Sequence, residues 1–224
     1  MNRERFEKQL SFILEADKEK NILRQTHLTG YSRRENDAEH AWHMAMMIYL
    51  LKEYSNKEID VAKAMMMALI HDIVEIDAGD TYAYDTDGLQ TQKEREQRAA
   101  ERIFGMLPED QCSELRALFE EFEACKSAEA RFARAMDNFQ PLLLNHSNGG
   151  MDWRAHKVTK AKVVDRQKTT ALGSEKIWKY TACKLNNLDL TVKMSIPSQQ
   201  TAPQRILCKR FSTKSRISRF QCAG

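Results

Sequence analysis

Apolar side chains recur at helical spacing along most of the chain and predict a series of amphipathic helices. The first spans 3–20, where Phe6, Leu10, Ile13 and Leu14 lie among charged residues. The other predicted helices cover 38–54, 58–75, 91–105, 108–124, 128–145, 158–170 and 174–187. Three segments lose the period and are predicted as loops: 21–36, 76–90 and 146–157. Because β-branched runs are scarce before residue 158, residues 1–187 are expected to form one all-α domain.

An apolar run that leads into a group of acids is the most informative stretch. Residues 62–70 are apolar apart from Lys63, and they predict a buried helix because apolar side chains cover nearly its whole circumference. One histidine and four acids follow within ten residues: His71, Asp72, Glu75, Asp77 and Asp80. Acids this close to one another repel unless a cation lies among them. The stretch therefore predicts a metal site.

Composition changes this picture little. The chain has 224 residues, of which 42% are apolar and 30% charged, as in an ordinary soluble globular protein. No apolar stretch reaches the roughly 20 residues that a membrane span needs, and the charged N-terminus does not resemble a signal peptide. The five cysteines are odd in number and lack CxxC spacing, so we expect free thiols in a reducing, cytoplasmic environment.

The net charge of +3 hides a basic C-terminus. Residues 190–224 contain seven Lys and Arg, no Asp or Glu, and no amphipathic period. Residues 188–224 are therefore predicted to be a disordered or poorly packed tail. A nucleic-acid-binding arm is the less favoured alternative, since the basic residues permit phosphate contacts.

Two histidines and two aspartates lie on three separate predicted helices: His40, His71, Asp72 and Asp137. His40 falls in the first turns of a helix that Asp37 is expected to cap. Each residue alone has an ordinary structural explanation, and Asp137 could simply pair with Arg134. Together they suit Mn²⁺, Co²⁺, Ni²⁺, Fe²⁺ or Zn²⁺, because imidazole ligands make Mg²⁺ a poorer match. Such an ion lowers the pKa of bound water and neutralises a phosphoryl oxygen, which is hydrolytic chemistry.

The ordered set H…HD…D resembles the HD-domain metal-dependent phosphohydrolases. The closer resemblance is to their 5′-deoxynucleotidase-like branch, which includes the HD-domain-containing protein 2 group. The matching segments are 33–40 (RRENDAEH), 71–75 (HDIVE) with 79–80 (GD), and 137–141 (DNFQP). The similarity extends over about residues 5–187. It implies an HD-domain helical bundle that acts as a homodimer and removes the 5′-phosphate from a (deoxy)nucleoside monophosphate.

The resemblance also implies a role for individual residues. It makes four residues the metal ligands: His40, His71, Asp72 and Asp137. Glu75 matches the general acid/base of that branch, and Asp80 matches a second acid that orients water or the leaving group. Glu75 also follows Asp72 by about one helical turn, which is close enough to accept a proton from metal-bound water.

The substrate contacts are less sharply specified by the resemblance. The family places an arginine in the loop before the first histidine, so Arg24 or Arg33 is expected to hold the substrate phosphate. A solvated basic loop is the alternative for each of them. Asp77 is either a loop acid or a ribose contact. Where related sequences often carry an aromatic residue after the loop arginine, this chain has Gln25 and Thr26.

Two other functions remain open at this point. One is hydrolysis of another phosphate ester or of a signalling nucleotide, although the chain lacks the further histidines that usually bind a second metal there. The other is a non-catalytic, metal-binding HD scaffold. Such a scaffold is expected to have lost ligands or Glu75, whereas every expected position is filled here.

Overall fold

The computed structural model describes residues 2–85 and 88–186, and helices dominate both segments. The elements in chain order are α1 Arg3–Ala16, β1 Leu23–His27, β2 Arg34–Asn36, α2 Asp37–Leu51, α3 Val61–Ile70, α4 Glu75–Ala78, α5 Gly88–Phe104, α6 Glu109–Ala124, α7 Ala128–Ser147, α8 Met151–Ala155, α9 Lys160–Gln167 and α10 Glu175–Asn186. Short 3₁₀ helices lie at Asp17–Asn21, Lys52–Tyr54 and Lys168–Leu172. The prediction of an all-α helical bundle is confirmed for these residues.

The predicted loop 21–36 is wrong in detail, because it contains a small antiparallel hairpin. Leu23 of β1 is opposite Asn36 of β2, and His27 is opposite Arg34. The turn between the strands is closed in part by the amide of Tyr31, which donates to the carbonyl of Leu28 at 3.0 Å. This hairpin fixes the position of the basic side chains that precede α2.

Asn36, and not Asp37, caps α2. The Asn36 side chain accepts a hydrogen bond from the Glu39 amide at 2.9 Å, and the Glu39 carboxylate accepts one from the Asn36 amide at 3.2 Å. These reciprocal bonds form a capping box, which satisfies amides that the first helical turn leaves without partners. Asp37 is instead the first helical residue and is fully buried. The shift by one residue places His40 one turn into the helix.

The predicted helix 58–75 is divided into two helices. Asp60 caps α3 by accepting from the Lys63 amide, and α3 ends at Ile70. The next four residues form a turn, and α4 then begins at Glu75. Gly79, with a φ of 75°, ends α4 in a conformation that favours glycine. The HD pair therefore lies on a turn between two helices.

The core lies where α2, α3 and α7 pack together. Its fully buried side chains include Met44, Ile48, Met67, Phe132 and Met136. A second cluster, which includes Ile103, Phe104 and Phe119, joins α5 and α6 to the end of α3. Burying these large apolar side chains stabilises each helix against its neighbours by about 1.5–3 kcal/mol per residue. The predicted loop 146–157 is partly helical, since it contains α8.

Part of the apolar surface of α2 and α3 faces away from the core. We call the following residues the α2–α3 face: Trp42, Met46, Tyr49, Leu50, Met66 and Leu69. Trp42 is 63% exposed and Leu69 is 43% exposed. The expectation that α3 is buried on all sides is therefore wrong.

The predicted tail at 188–224 and the predicted domain boundary after residue 187 lie outside the described residues. Among the helices that the structure describes, none combines the length and the apolar character required to cross a membrane.

Candidate metal centre

The four predicted ligands meet at the centre of the bundle. His40 comes from α2, Asp137 comes from α7, and the HD pair follows α3. His40 Nε2 lies 3.2 Å from Asp137 Oδ1 and 4.0 Å from Asp72 Oδ2. His71 Nε2 lies 3.0 Å from Asp72 Oδ2 and 3.9 Å from Asp137 Oδ1. Two imidazole nitrogens and two carboxylates therefore face one small volume, and three of these ligands (His40, His71 and Asp72) have donor atoms within 4.8 Å of one another.

The surroundings of His71 fit a metal ligand. Its Nδ1 lies 2.8 Å from the Ala68 carbonyl, which can only accept a hydrogen bond, so Nδ1 carries the proton. Its Nε2 is buried and makes no hydrogen bond with acceptable geometry. A buried polar atom without a partner is uncommon and needs an explanation. A cation in front of Nε2 supplies one, because the lone pair of this nitrogen points into the cluster.

The two imidazoles have opposite protonation preferences without a metal. Burial lowers the pKa of His40 to about 4, and the charge of Arg24 acts in the same direction. Burial alone would lower the pKa of His71 as well, but the carboxylates of Asp72 and Asp137 raise it to about 9. Without a metal, a proton on His71 therefore supplies the positive charge beside Asp72 and Asp137, and a bound metal ion can replace this proton.

Both aspartates are held in their ionised form. Burial would raise the pKa of Asp72, but the charges of His71 and Arg24 hold it well below its ordinary range. Burial also opposes ionisation of Asp137, yet its close polar contact with His40 and the charges of His71 and Arg134 keep its pKa well below the ordinary value. The cluster therefore offers two anionic oxygens to a divalent cation.

The hairpin brings Arg24 to the edge of this cluster. One Nη1 atom lies 2.6 Å from Asp72 Oδ2 and 3.1 Å from Asp37 Oδ1. The Arg24 side chain is only 15% exposed, so its charge acts in a poorly solvated environment. Arg24 is therefore a fixed cation beside the predicted metal position.

Glu75 and Asp80 lie beside the same cluster. Burial raises the pKa of Glu75 well above its usual range, and the negative charges of Asp72 and Asp37 raise it further. Burial is also the largest cause of the raised pKa of Asp80. Within the described part of the chain, one buried oxygen of Glu75 has no hydrogen-bond partner. Both acids therefore hold protons more tightly than exposed carboxyl groups do.

The structure does not bring Arg33 or Asp77 to the centre. Both carboxylate oxygens of Glu39 accept from Arg33, at 2.8 and 2.5 Å, on the protein surface. Asp77 is bound by the guanidinium of Arg102, with Nη2 to Oδ1 at 2.7 Å. Neither side chain lines the cavity at the cluster, so the predicted substrate contacts of these two residues have no support in the geometry.

A cavity of about 710 Å³ opens from the cluster. The residues with candidate chemistry on its wall are Arg24, Asp72, Glu75, Asp80 and Asp137. A volume of this size lies within the range of small-molecule sites.

The opposite part of the wall is aromatic, which sequence reasoning missed. Tyr82 and Tyr84 line the cavity with their ring centroids 5.3 Å apart, and Trp153 of α8 lies beside them. Burial among these side chains raises the pKa of Tyr84. Gln25 and Thr26, which replace the expected aromatic residue, line the same cavity. The only sequence signal was the pair of tyrosines directly after the Gly-Asp motif.

Comparison with known proteins agrees with this arrangement. The human and bovine proteins named 5′-deoxynucleotidase HDDC2 are 32% and 34% identical to the chain over 111 and 110 residues. These matches cover 50% and 49% of this chain, and the chain spans about half the length of the two relatives, 53% and 52%.

Two solved structures share the fold. A protein described as a predicted metal-dependent phosphohydrolase from Magnetospirillum magnetotacticum MS-1 is 48% identical, with a TM-score of 0.79 and coverage of 82% of this chain and 92% of that one. The PH0347 protein from Pyrococcus horikoshii OT3 is 21% identical, with a TM-score of 0.57 and coverage of 80% and 97%, and shows the fold alone.

The family model described as HD domain matches residues 16–178, a segment that contains all four predicted ligands. This match confirms the resemblance that the motifs indicated, and it implies a divalent metal as the cofactor. The chain belongs to the HD domain family.

Proposed function

We propose that the chain is a metal-dependent phosphohydrolase that removes the 5′-phosphate from a (deoxy)nucleoside monophosphate. The observation that carries this proposal is the cluster of two imidazoles and two ionised carboxylates on the wall of a ligand-sized cavity. The names of the HDDC2 relatives and of the Magnetospirillum protein support the same class of reaction.

The proposed metal ligands are His40, His71, Asp72 and Asp137. Their mixture of nitrogen and oxygen donors suits Mn²⁺, Co²⁺, Ni²⁺, Fe²⁺ or Zn²⁺ better than Mg²⁺. When bound, such an ion lowers the pKa of a water molecule and neutralises charge on a phosphoryl oxygen.

The side chains around the ligands supply the remaining groups. Attack of water on phosphorus forms one P–O bond and breaks the bond to O5′, so one proton must leave the water and one must reach O5′. In this proposal Glu75 transfers these protons and Asp80 orients the water or the leaving group, and both acids line the same cavity as Asp72. Arg24 neutralises charge on the phosphate, in the manner of an arginine clamp.

The aromatic wall supports a nucleoside as the leaving part of the substrate. Tyr82, Tyr84 and Trp153 offer apolar ring surface at the same cavity as the acids. Aromatic side chains stack on any nucleobase, at about 1–3 kcal/mol per base. Replacing Tyr82 with Leu is therefore expected to raise KM for nucleoside monophosphates more than for a small phosphate ester without a base.

Phosphate release from metal-free protein tests the proposal. A panel of nucleoside monophosphates is incubated with each of Mn²⁺, Co²⁺, Ni²⁺, Zn²⁺ and Mg²⁺ added back. Asp72→Asn is expected to lose metal and activity, whereas Glu75→Gln is expected to keep metal and lose turnover. Asp110→Asn is the matched control, since this exposed acid pairs with Arg5 at the surface. Folded wild-type protein that releases no phosphate with any metal would refute the proposal.

The α2–α3 face supports a homodimer as the form that acts. Its apolar side chains recur on neighbouring helices, and a contiguous exposed apolar patch commonly marks an interface. Sedimentation at micromolar concentration is expected to show a dimer, and Trp42→Asp is expected to dissociate it. Leu172→Asp, at a site 55% exposed elsewhere on the protein, serves as the control. A monomeric wild type would contradict this arrangement.

A further inference from the structure

Behind His40 lies a chain of buried polar groups that the proposed reaction does not use directly. We infer that Gln140 is a positioning residue, which holds His40 in the tautomer that binds metal, and that Glu35 sets the orientation of the Gln140 amide. This inference rests on the proposed metal site, because it concerns how one ligand of that site is prepared.

The geometry links three elements around the ligand. Gln140 Oε1 on α7 lies 3.0 Å from His40 Nδ1 on α2. Gln140 Nε2 donates to Glu35 Oε1 of β2 at 2.6 Å and lies 3.0 Å from His43 Nδ1. Gln140 and His40 are fully buried and Glu35 is 1% exposed, whereas His43 is partly exposed, so the contacts that link Glu35, Gln140 and His40 are shielded from bulk solvent.

The carboxylate of Glu35 decides which way the Gln140 amide faces. An ionised carboxylate accepts hydrogen bonds only, so the amide nitrogen of Gln140 must point towards it. The second amide hydrogen is directed at His43 Nδ1, which can accept it. The amide oxygen is thereby left for His40, and rotation of the amide by 180° would place an oxygen against the Glu35 carboxylate.

The orientation of the Gln140 amide in turn decides which ring nitrogen of His40 carries the hydrogen. An amide oxygen can only accept, so His40 Nδ1 must carry the hydrogen. The lone pair of a neutral imidazole is then on Nε2, the atom that faces Asp72 and Asp137. In the same way, the backbone carbonyl of Ala68 accepts from His71 Nδ1 and leaves the lone pair of a neutral ring on Nε2. The two histidine ligands are therefore prepared by different acceptors, one from the backbone and one from a side chain that mutation can change.

A purely structural role for Gln140 makes a different prediction, because it would affect folding but not the metal affinity of folded protein. Outer hydrogen-bond partners of metal ligands typically change metal affinity by about 10–100-fold when removed. We therefore compare Co²⁺ affinity, followed by the visible absorption of the bound ion, with thermal stability in the same variants. Measurements at pH 8 favour the carboxylate form of Glu35, the form that accepts from Gln140 Nε2 at 2.6 Å.

Gln140→Leu is expected to weaken Co²⁺ binding by about 10–100-fold. The double variant Glu35→Gln with Gln140→Glu reverses the polarity of the pair and still offers His40 an acceptor, so it is expected to regain at least about tenfold of this loss. Asn148→Leu is the matched control, since Asn148 is a buried amide that bonds the hairpin turn and does not line the cavity. It should lower stability and leave Co²⁺ affinity unchanged.

Nitrogen NMR of the histidine rings in Zn²⁺-loaded protein gives a second readout. Wild type should show a protonated Nδ1 on His40, and Glu35→Gln should broaden or divide this signal because either amide orientation becomes possible. If Gln140→Leu does not fold, the isosteric Glu35→Gln variant carries the test. Unchanged Co²⁺ affinity in Gln140→Leu, or an unchanged His40 signal together with unchanged affinity in Glu35→Gln, would overturn the inference. Wild-type protein that binds no Co²⁺ would instead overturn the proposed metal site.

Discussion

Addition of Co²⁺ to the metal-free protein should raise its melting temperature, because the buried centre gathers two imidazoles and two ionised carboxylates that a divalent cation can bind together. Among the described residues, His71 Nε2 makes no hydrogen bond of acceptable geometry, although it lies 3.0 Å from Asp72 Oδ2, and the ionised carboxylates of Asp72 and Asp137 face the same volume. An ion that binds these four ligands binds the folded chain and not an equivalent site in the unfolded chain. Binding to the folded state alone raises the free energy of unfolding by mass action.

The size of the effect follows from the ligand concentration and the chain length. At a free metal concentration of 100 times Kd, the gain is about 2.7 kcal/mol. For a domain of about 150–250 residues, each kcal/mol shifts Tm by about 2–4 °C. The expected increase is therefore about 5–10 °C, and weak binding of Co²⁺ to histidines in the unfolded chain would bring it to the lower end.

Differential scanning calorimetry over a series of Co²⁺ concentrations measures this shift. Asp137→Asn removes one anionic ligand and is expected to shrink the shift to a small fraction of the wild-type value. Asp110→Asn, at the exposed surface pair with Arg5, should keep the full shift. An equal shift in wild type and Asp137→Asn at every concentration would show that the metal binds elsewhere, and the ligand assignment would then be wrong.

Three further variants test other parts of the structure. Arg24→Ala should lower kcat/KM by about 100-fold or more, because it removes a buried cation from the proposed phosphate position, whereas Arg33→Ala should stay close to wild type in the same assay. Asn36→Ala removes the cap of α2 and should cost about 1 kcal/mol in urea unfolding, while Asn36→Asp should retain most of it. Gly173→Ala would place a methyl group 2.1 Å from the Arg131 carbonyl oxygen and should destabilise by at least about 1–3 kcal/mol, with Leu172→Ala near wild type. Equal activity of the two arginine variants, full stability of Asn36→Ala, or full stability of Gly173→Ala would each contradict the corresponding contact.

The sequence was sufficient to predict the helical bundle and the four proposed metal ligands, which the structure brings together. Apolar residues at helical spacing identify most helices directly, and a histidine or acid within such a helix stands out because its burial requires a partner. The four proposed ligands could therefore be predicted without knowledge of the fold. Local boundaries were less accurate, since Asn36 and Asp37 are both good caps and only the bond from Asn36 to Glu39 distinguishes them.

The hairpin explains why the sequence could not choose between the two loop arginines. Its strands carry few apolar residues, so the sequence shows no hydrophobic alternation that would predict them. From the sequence, Arg24 and Arg33 are therefore both assigned to one polar loop. Pairing of β1 with β2 directs Arg24 towards Asp37 and Asp72, while Arg33 precedes β2 and meets Glu39 of α2 at the surface. The choice thus depends on the pairing of strands and not on the properties of either residue. For the same reason Gln140 carried no signal of its own, because only the packing of α7 against α2 and β2 turns an ordinary amide into the acceptor for His40.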